Sequence, residues 1–212
     1  FSHELRIPLT AIYGYAEYIQ KALLSEEECY ECTQFIMSEC SRLQNMAYQL
    51  LDMALLRREE MKDSNCSVKA LFKESQKVMH VRASQKKIRL RYVVSQNYVV
   101  RGNMEQLLIL INNLIDNAIK ASRQKDEIRI CAYAEESAVV VEVKDHGTGM
   151  EVEQISHIKE PFYRVDKARS RAAGGAGLGL AICERIVQIH HADMSFISKP
   201  GVGTIVKLSF PV

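Results

Sequence analysis

Asn113 and Asn117 stand four residues apart in NNLIDNAIK, with Lys120 three further on, so a helix through this stretch sets two amides and an ammonium on one face. Amide oxygens ligate Mg²⁺ while the ion keeps waters and phosphate oxygens, and a nearby lysine neutralises phosphate charge. The same spacing also fits a solvated helix face. Asp145-His146-Gly147-Thr148-Gly149 follows an apolar run, where the glycines let the chain turn against a ligand and the carboxylate accepts a hydrogen bond from a base amino group. Taken alone, DxGxG also marks ordinary strand-end turns. The run Gly174-Gly175-Ala176-Gly177-Leu178-Gly179-Leu180 leads into a helical pattern, so its backbone and the helix N-terminus can hold a polyphosphate. Arg164, Lys167, Arg169 and Arg171 upstream supply charge, although a loop with solvated cations has the same composition. Gly201-Val202-Gly203-Thr204 by itself reads as a hairpin turn.

His3 opens a different kind of chemistry. It lies in Ser2-His3-Glu4-Leu5-Arg6-Ile7-Pro8-Leu9, and with Leu5 and Leu9 on a buried seam it projects from the helix surface, where a neutral imidazole can attack phosphorus. Glu4 can take the imidazole proton or orient the ring. A lone surface histidine is commonly inert; Pro8, a helix-bending residue inside an amphipathic pattern, sets this one apart.

Two kinds of element must hold these groups. Leu5, Leu9, Ile12, Ala16, Ile19 and Leu23 step by four and three, and Ile36, Cys40, Leu43, Ala47, Leu50 and Ala54 repeat the rule. Between them Ser25-Glu26-Glu27-Glu28 has capping-box form, so one helix ends near Leu24 and another begins there. Two helices cannot bury so wide an apolar surface alone, which predicts a four-helix bundle from two chains. Polar RREEMKDSNC marks a boundary, giving a hairpin over 1–60 and a second domain over 61–212. There the pattern is α+β: helices over 68–83, 104–121 and 178–191, and strands over 88–94, 98–101, 127–134, 138–144, 194–197 and 204–210, with helices on one face of a mostly antiparallel sheet.

Composition narrows the classes. At 212 residues and 47% hydrophobic the chain has ample material for a core, and 28 basic against 26 acidic residues give no broad cationic surface for nucleic acid. No apolar run reaches a membrane span, so any membrane contact is expected through a region upstream of Phe1. Six scattered cysteines fit a reducing compartment. Cys29-x-x-Cys32 is half a zinc site with no second pair, and reads as helix packing.

Read in order, these segments resemble the sensor histidine kinases over nearly the whole chain. SHELRIPL is similar to the H box, NNLIDNAIK to the N box, DHGTGM to the G1 box, EPFYRVDKARSR to the F box and ATP lid, GGAGLGLAI to the G2 box, and GVGT to the closing glycine turn. The resemblance implies a dimerisation and phosphotransfer hairpin followed by a Bergerat-type ATP-binding domain, the cytoplasmic catalytic portion of a membrane protein. It implies His3 as phospho-acceptor with Glu4 as acid-base helper, ATP and Mg²⁺ as cofactors, and a homodimer and a response regulator receiver domain as partners. Asn113 and Asn117 would serve magnesium and phosphates, Asn117 the surer metal ligand, and Lys120 would face phosphate. Asp145 would bind the adenine amino group, Gly147 and Gly149 would shape its pocket, and Arg164 would act near the γ-phosphate. Gly175, Gly177, Leu178 and Gly179 would line the nucleotide at the lid hinge.

Three departures from the family pattern carry expectations of their own. Ile7 stands where a Thr or Asn is usual, which predicts weak phosphatase activity because isoleucine cannot orient a water. Lys159 replaces an aromatic at the start of the F box, which alters how that segment docks. His191-Ala192 replaces a Gly-Gly after the last helix, a difference in capping. Two other readings share some features: a different Bergerat ATPase, for which a water-activating glutamate near Asn113 is missing, and a nucleotide-responsive dimeric scaffold whose histidine is never phosphorylated.

Overall fold

The computed structural model describes residues 2–56, 64–165 and 177–211. These fall into two compact units, residues 2–52 and residues 53–56, 64–165 and 177–211. The first contains α1 (Ser2–Lys21) and most of α2 (Glu26–Leu56). The turn between them is the capping box: the Ser25 N–H donates to Glu28 Oε2 (2.8 Å) and the Glu28 N–H to Ser25 Oγ (3.2 Å). Those bonds hold the exposed Glu28 carboxyl below its usual range. Tyr15 and Phe35 join the two helices through rings 4.3 Å apart.

The apolar seam divides into two rows. Leu5, Ile12 and Ile19 on α1, and Ile36, Leu43 and Leu50 on α2, are half-buried. The alternate seam positions, Leu9, Ala16 and Leu23 and then Cys40, Ala47 and Ala54, are exposed, Leu23 completely and Leu9 at 54%. The burial expected of Leu9 and the other five exposed positions is thus not met within one hairpin, whose buried residues in this unit are Pro8, Cys32, Arg42 and Met46. Exposed apolar side chains recurring along both helices are of the sort that marks an association face.

The second unit is a two-layer α+β sandwich. Its elements are β1 (Asn65–Ser67), α3 (Val68–Gln85), β2 (Arg89–Val94), β3 (Val99–Arg101), α4 (Met104–Ala121), β4 (Glu127–Glu135), β5 (Ala138–Lys144), α5 (Val152–Ile155), α6 (Gly179–Ile189), β6 (Asp193–Lys199) and β7 (Gly203–Pro211). Strands run in the order β2-β4-β5-β7-β6, antiparallel except for the parallel β2–β4 pair, while β1 and β3 form a separate ribbon. Ile128, Ile130 and Ala132 on β4, Val141 and Val143 on β5, and Val206 and Leu208 on β7 are buried on one face. The intervening Arg129, Glu142 and Lys207 lie on the other face, giving a period of two, and Cys131 and Val140 are buried on that face as well.

α4 is the central helix, packed between α3 and α6. Asn103 caps it, its Oδ1 accepting from the N–H groups of Glu105 (2.9 Å) and Gln106 (3.3 Å). Leu107, Leu110, Ile111, Leu114, Ile115, Ala118 and Ile119 are all buried at helical spacing, which turns Asn113, Asn117 and Lys120 to the opposite side. α6 ends in a Schellman motif: His191 takes the left-handed position (φ +48°), its N–H donates to the Gln188 carbonyl, and the Ala192 N–H to that of Val187. His191-Ala192 is therefore a capping difference, as the sequence suggests, with an imidazole residue where glycine is easier.

Buried His190 ties these two helices together. Its Nε2 accepts the Asn103 N–H (3.1 Å), so the proton sits on Nδ1, which donates to the Ile186 carbonyl (2.8 Å). Burial, with the neighbouring His191 charge, pushes its pKa below the ordinary imidazole value. A second proton would remove the acceptor at Asn103, so this link contributes in full above the ordinary imidazole pKa of about 6.5, and that contribution declines as the pH falls from there through the lower folded value. Urea midpoints should drop between pH 7.5 and pH 5.5, and His190→Gln should flatten that fall while costing about 1–2 kcal/mol at neutral pH. An unchanged pH slope in the variant would remove His190 from the account.

Candidate functional site

Two glycine-bearing loops meet the polar face of α4. The first begins at Asp145, a buried carboxylate at the end of β5. Its Oδ1 accepts two backbone amides, Gly147 (2.8 Å) and Thr204 (3.2 Å), and Oδ2 makes no hydrogen bond among the described residues. Burial pushes this carboxyl above its ordinary range, against the two amide bonds that favour ionisation. One oxygen fixes the group and the other remains to accept from a ligand donor.

Three backbone approaches shape this loop. A Cβ on Gly147 would stand 2.6 Å from the Ala121 carbonyl group at the end of α4, and one on Gly203 2.2 Å from the Asp145 carbonyl oxygen. Gly149 combines φ +63° with the Lys199 carbonyl oxygen 2.0 Å from where its Cβ would lie, so only glycine fits. The loop is stitched to the β6–β7 hairpin by Gly201 N–H to Thr148 O (2.7 Å) and Met150 N–H to Ser198 Oγ (2.9 Å). GVGT, a mere turn in isolation, thus forms one wall of the Asp145 loop. Nothing in its composition announces this, because Thr204 contributes its main chain.

The second loop reaches α4 about two turns before its C-terminal end, at Asn113. Asn113 Nδ2 donates to the Ile109 carbonyl (2.9 Å), which turns Oδ1 outward, and a Cβ on Gly179 would sit 2.9 Å from that oxygen. The bare first residue of α6 lets the helix N-terminus come up to the amide. Gly177 (φ +76°) packs on the Phe162 backbone, and its carbonyl accepts the Phe162 N–H (2.8 Å). Leu178 is buried behind it. Asn117, half-buried between the two loops, makes no side-chain hydrogen bond among the described residues, so both amide oxygens are available and fit a hard, oxygen-seeking cation. Asn113 to Ala121 spans roughly 12 Å along the helix axis at 1.5 Å per residue.

Other expectations fare differently. The Lys120 ammonium is paired with Asp116 Oδ2 (2.7 Å), whose Oδ1 is bound by Arg82 Nη1 (2.8 Å); the sequence reading missed this cluster, although Asp116 lies four residues before Lys120. Arg164 is half-buried just after Phe162. The side chains of His3 and Glu4, and residues Gly174, Gly175, Lys167, Arg169 and Arg171, lie outside the described residues. Ile7 is half-buried on α1. All six cysteines are unbridged, and among the described residues no group of three His, Cys, Asp or Glu side chains could hold a metal. No described helix is long and apolar enough to cross a membrane.

Residues 102–212, from the cap of α4 to the last strand, match the histidine kinase-, DNA gyrase B- and HSP90-like ATPase family, and residues 1–59 match the His Kinase A phospho-acceptor domain. The chain belongs to the two-component sensor histidine kinases. Within that family it is 31% identical over 215 residues to sensor protein SrrB of Staphylococcus aureus, covering 99% of this chain and 37% of SrrB. It spans little more than a third of that relative. Histidine kinase AdeS of Acinetobacter baumannii shares the fold over 99% of this chain and 97% of its own (TM-score 0.78, 19% identity). Histidine kinase ThkA, solved with response regulator protein TrrA, does so over 99% and 59% (TM-score 0.80, 22% identity). ShkA, solved full-length with AMPPNP, is 25% identical over 99% and 44% (TM-score 0.70).

Proposed function

We propose that this chain is the catalytic core of a sensor kinase that phosphorylates His3 from ATP and passes the phosphoryl group to an aspartate of a response regulator. The observation that carries the reading is Asp145, fixed through one carboxylate oxygen and open through the other, at one end of an α4 face whose other end meets a helix N-terminus. The open oxygen accepts the adenine amino group, the phosphates run toward Asn113 and the start of α6, and Arg164 addresses the terminal phosphate. Asn117, with Asn113, would hold Mg²⁺, which when bound offsets phosphate charge. The imidazole of His3 attacks the γ-phosphorus, the bond to the ADP oxygen breaks, and Glu4 receives the ring proton. The His Kinase A match supports a regulator as the receiving partner, as does the fold shared with ThkA, which was solved with response regulator protein TrrA.

Simple hydrolysis is disfavoured by the same geometry. The carboxylate on this stretch of α4, Asp116, is held by Lys120 and Arg82 and is no free base for water. The deciding experiment is incubation with γ-labelled ATP and Mg²⁺. Label on the protein that survives base and is released by acid is expected; free phosphate with unlabelled protein would end the kinase reading.

The exposed seam row supports a homodimer through the hairpins. Ala16 and Ala47 are exposed in a single chain, so charging them leaves the hairpin intact but buries unpaired charge in a bundle. Ala16→Glu with Ala47→Glu should halve the mass measured by light scattering at micromolar concentration. A wild-type protein that is already monomeric there would remove the bundle.

A further inference from the structure

Lys159 has no role in the nucleotide site described above, yet it makes three contacts that its position in the F box does not lead one to expect. Its ammonium lies 2.9 Å from Glu184 Oε2 on α6, donates to the Met194 carbonyl on β6 (3.3 Å), and stands 6.0 Å over the Phe196 ring. Lys159 and Glu184 are each about one-third exposed (33% and 31%), so the pair is partly shielded. An aromatic residue in this position would meet the same surface by packing; here a cation meets it by charge.

What this contact helps to hold is the short arm that carries Arg164. From Ser156 to Val165 the chain has no regular helix or strand, and Ile158 is its one fully buried side chain among the described residues. Phe162 adopts a left-handed backbone (φ +68°), unfavourable for an aromatic residue and kept only where neighbours impose it. Its N–H is tied to the Gly177 carbonyl, and Arg164 follows two residues later. Glu184 belongs to the helix whose first residue meets Asn113, so the ion pair references the arm to the element that forms the phosphate end of the site.

We propose that Lys159 is a positioning residue: its ion pair with Glu184 keeps the arm registered on α6, and thereby presents Arg164 to the terminal phosphate. This rests on the nucleotide site proposed above. The arm, not the adenine end, depends on Lys159, so its loss is felt where ATP and ADP differ.

The test compares ATP and ADP affinities of the whole chain by calorimetry. Lys159→Met keeps the apolar stem over Phe196 and removes the charge. It should weaken ATP about fivefold, the scale of one partly exposed ion pair, and change ADP by less than about twofold, with little shift in thermal midpoint. Arg164→Ala should lower the ATP-to-ADP preference at least as far, and adding Lys159→Met to it should lower it no further, since the two act in series. Exchanging the charges, Lys159→Glu with Glu184→Lys, should restore most of the preference. The proposal is overturned if Lys159→Met keeps the wild-type preference, if its effect adds fully to that of Arg164→Ala, or if the exchanged pair remains as poor as the single variant. Asp145→Asn, measured in parallel, separates the two ideas: undiminished binding of both nucleotides there removes the site itself, whereas lost binding there beside an unaltered Lys159→Met removes only the latch.

Discussion

Replacing His3 by glutamine should abolish labelling of the protein from γ-labelled ATP while leaving ATP affinity within about twofold. Glutamine has no nitrogen lone pair able to attack phosphorus, because its amide nitrogen is delocalised and its oxygen is a poor nucleophile, so no residual route remains. It is a good helix former, and its length lets it replace the ring without breaking α1. Nucleotide affinity survives because the proposed contacts to ATP belong to the other unit. The local backbone gives the histidine a particular setting. Pro8 is buried inside α1, and lacking an N–H it leaves the Glu4 carbonyl without its usual helical donor. Label that persists at the wild-type level in the variant would move the acceptor elsewhere; loss of ATP binding together with label would mean that His3 serves the nucleotide site instead.

How far the sequence reveals this architecture depends on whether a position acts through its side chain. α4 is legible from end to end because seven buried apolar residues recur at helical spacing, and β5 because its valine-rich run ends in a carboxylate and two glycines. The turn at Ser25 and Glu28 is legible because capping requires those residue types three apart. Thr204 and Lys199 act through main-chain atoms, which every residue has, so their place around Asp145 emerges only when β6 and β7 are folded against β5. β1 has three residues and is held by pairing with β3, too short for a period to register. The parallel β2–β4 pair escapes for a related reason, since it depends on a crossover rather than on local pattern. Lys120 shows the opposite difficulty. Its face is correct, but which partner takes its charge is decided by Asp116 and Arg82, the latter on another helix. The hairpin seam is legible as a period, but which positions one hairpin buries is a property of two helices in space: the seam residues are half-buried or exposed, and Cys32, Arg42 and Met46 are buried instead.

Asp145→Asn should weaken ATP binding on the order of 50-fold, with or without Mg²⁺, and leave stability nearly unchanged. The two effects separate because the carboxylate uses its oxygens for different ends. Oδ1 accepts from the amides of Gly147 and Thr204, and an asparagine must keep its oxygen there, since the reverse orientation would set an NH₂ against two N–H donors. Its nitrogen then replaces Oδ2 and meets the adenine amino group donor to donor. Losing a bond to a charged acceptor costs about 1.5–3 kcal/mol, and an unanswered buried donor adds to that. Stability is spared on electrostatic grounds too. Burial raises the folded pKa of Asp145 above its unfolded value, so the ionised group favours unfolding as pH rises through that folded value, and a neutral amide removes the penalty. The outward-facing amide has a further consequence. A base with a keto oxygen in place of the amino group offers an acceptor to the new donor, so inosine triphosphate should lose far less affinity than ATP, or gain. Asn117→Ala, by contrast, should weaken only the Mg²⁺-dependent part of binding for either base. If Asp145→Asn binds ATP as tightly as the wild-type chain, or weakens both nucleotides equally, then Oδ2 does not read the base, and the adenine end of the site lies elsewhere.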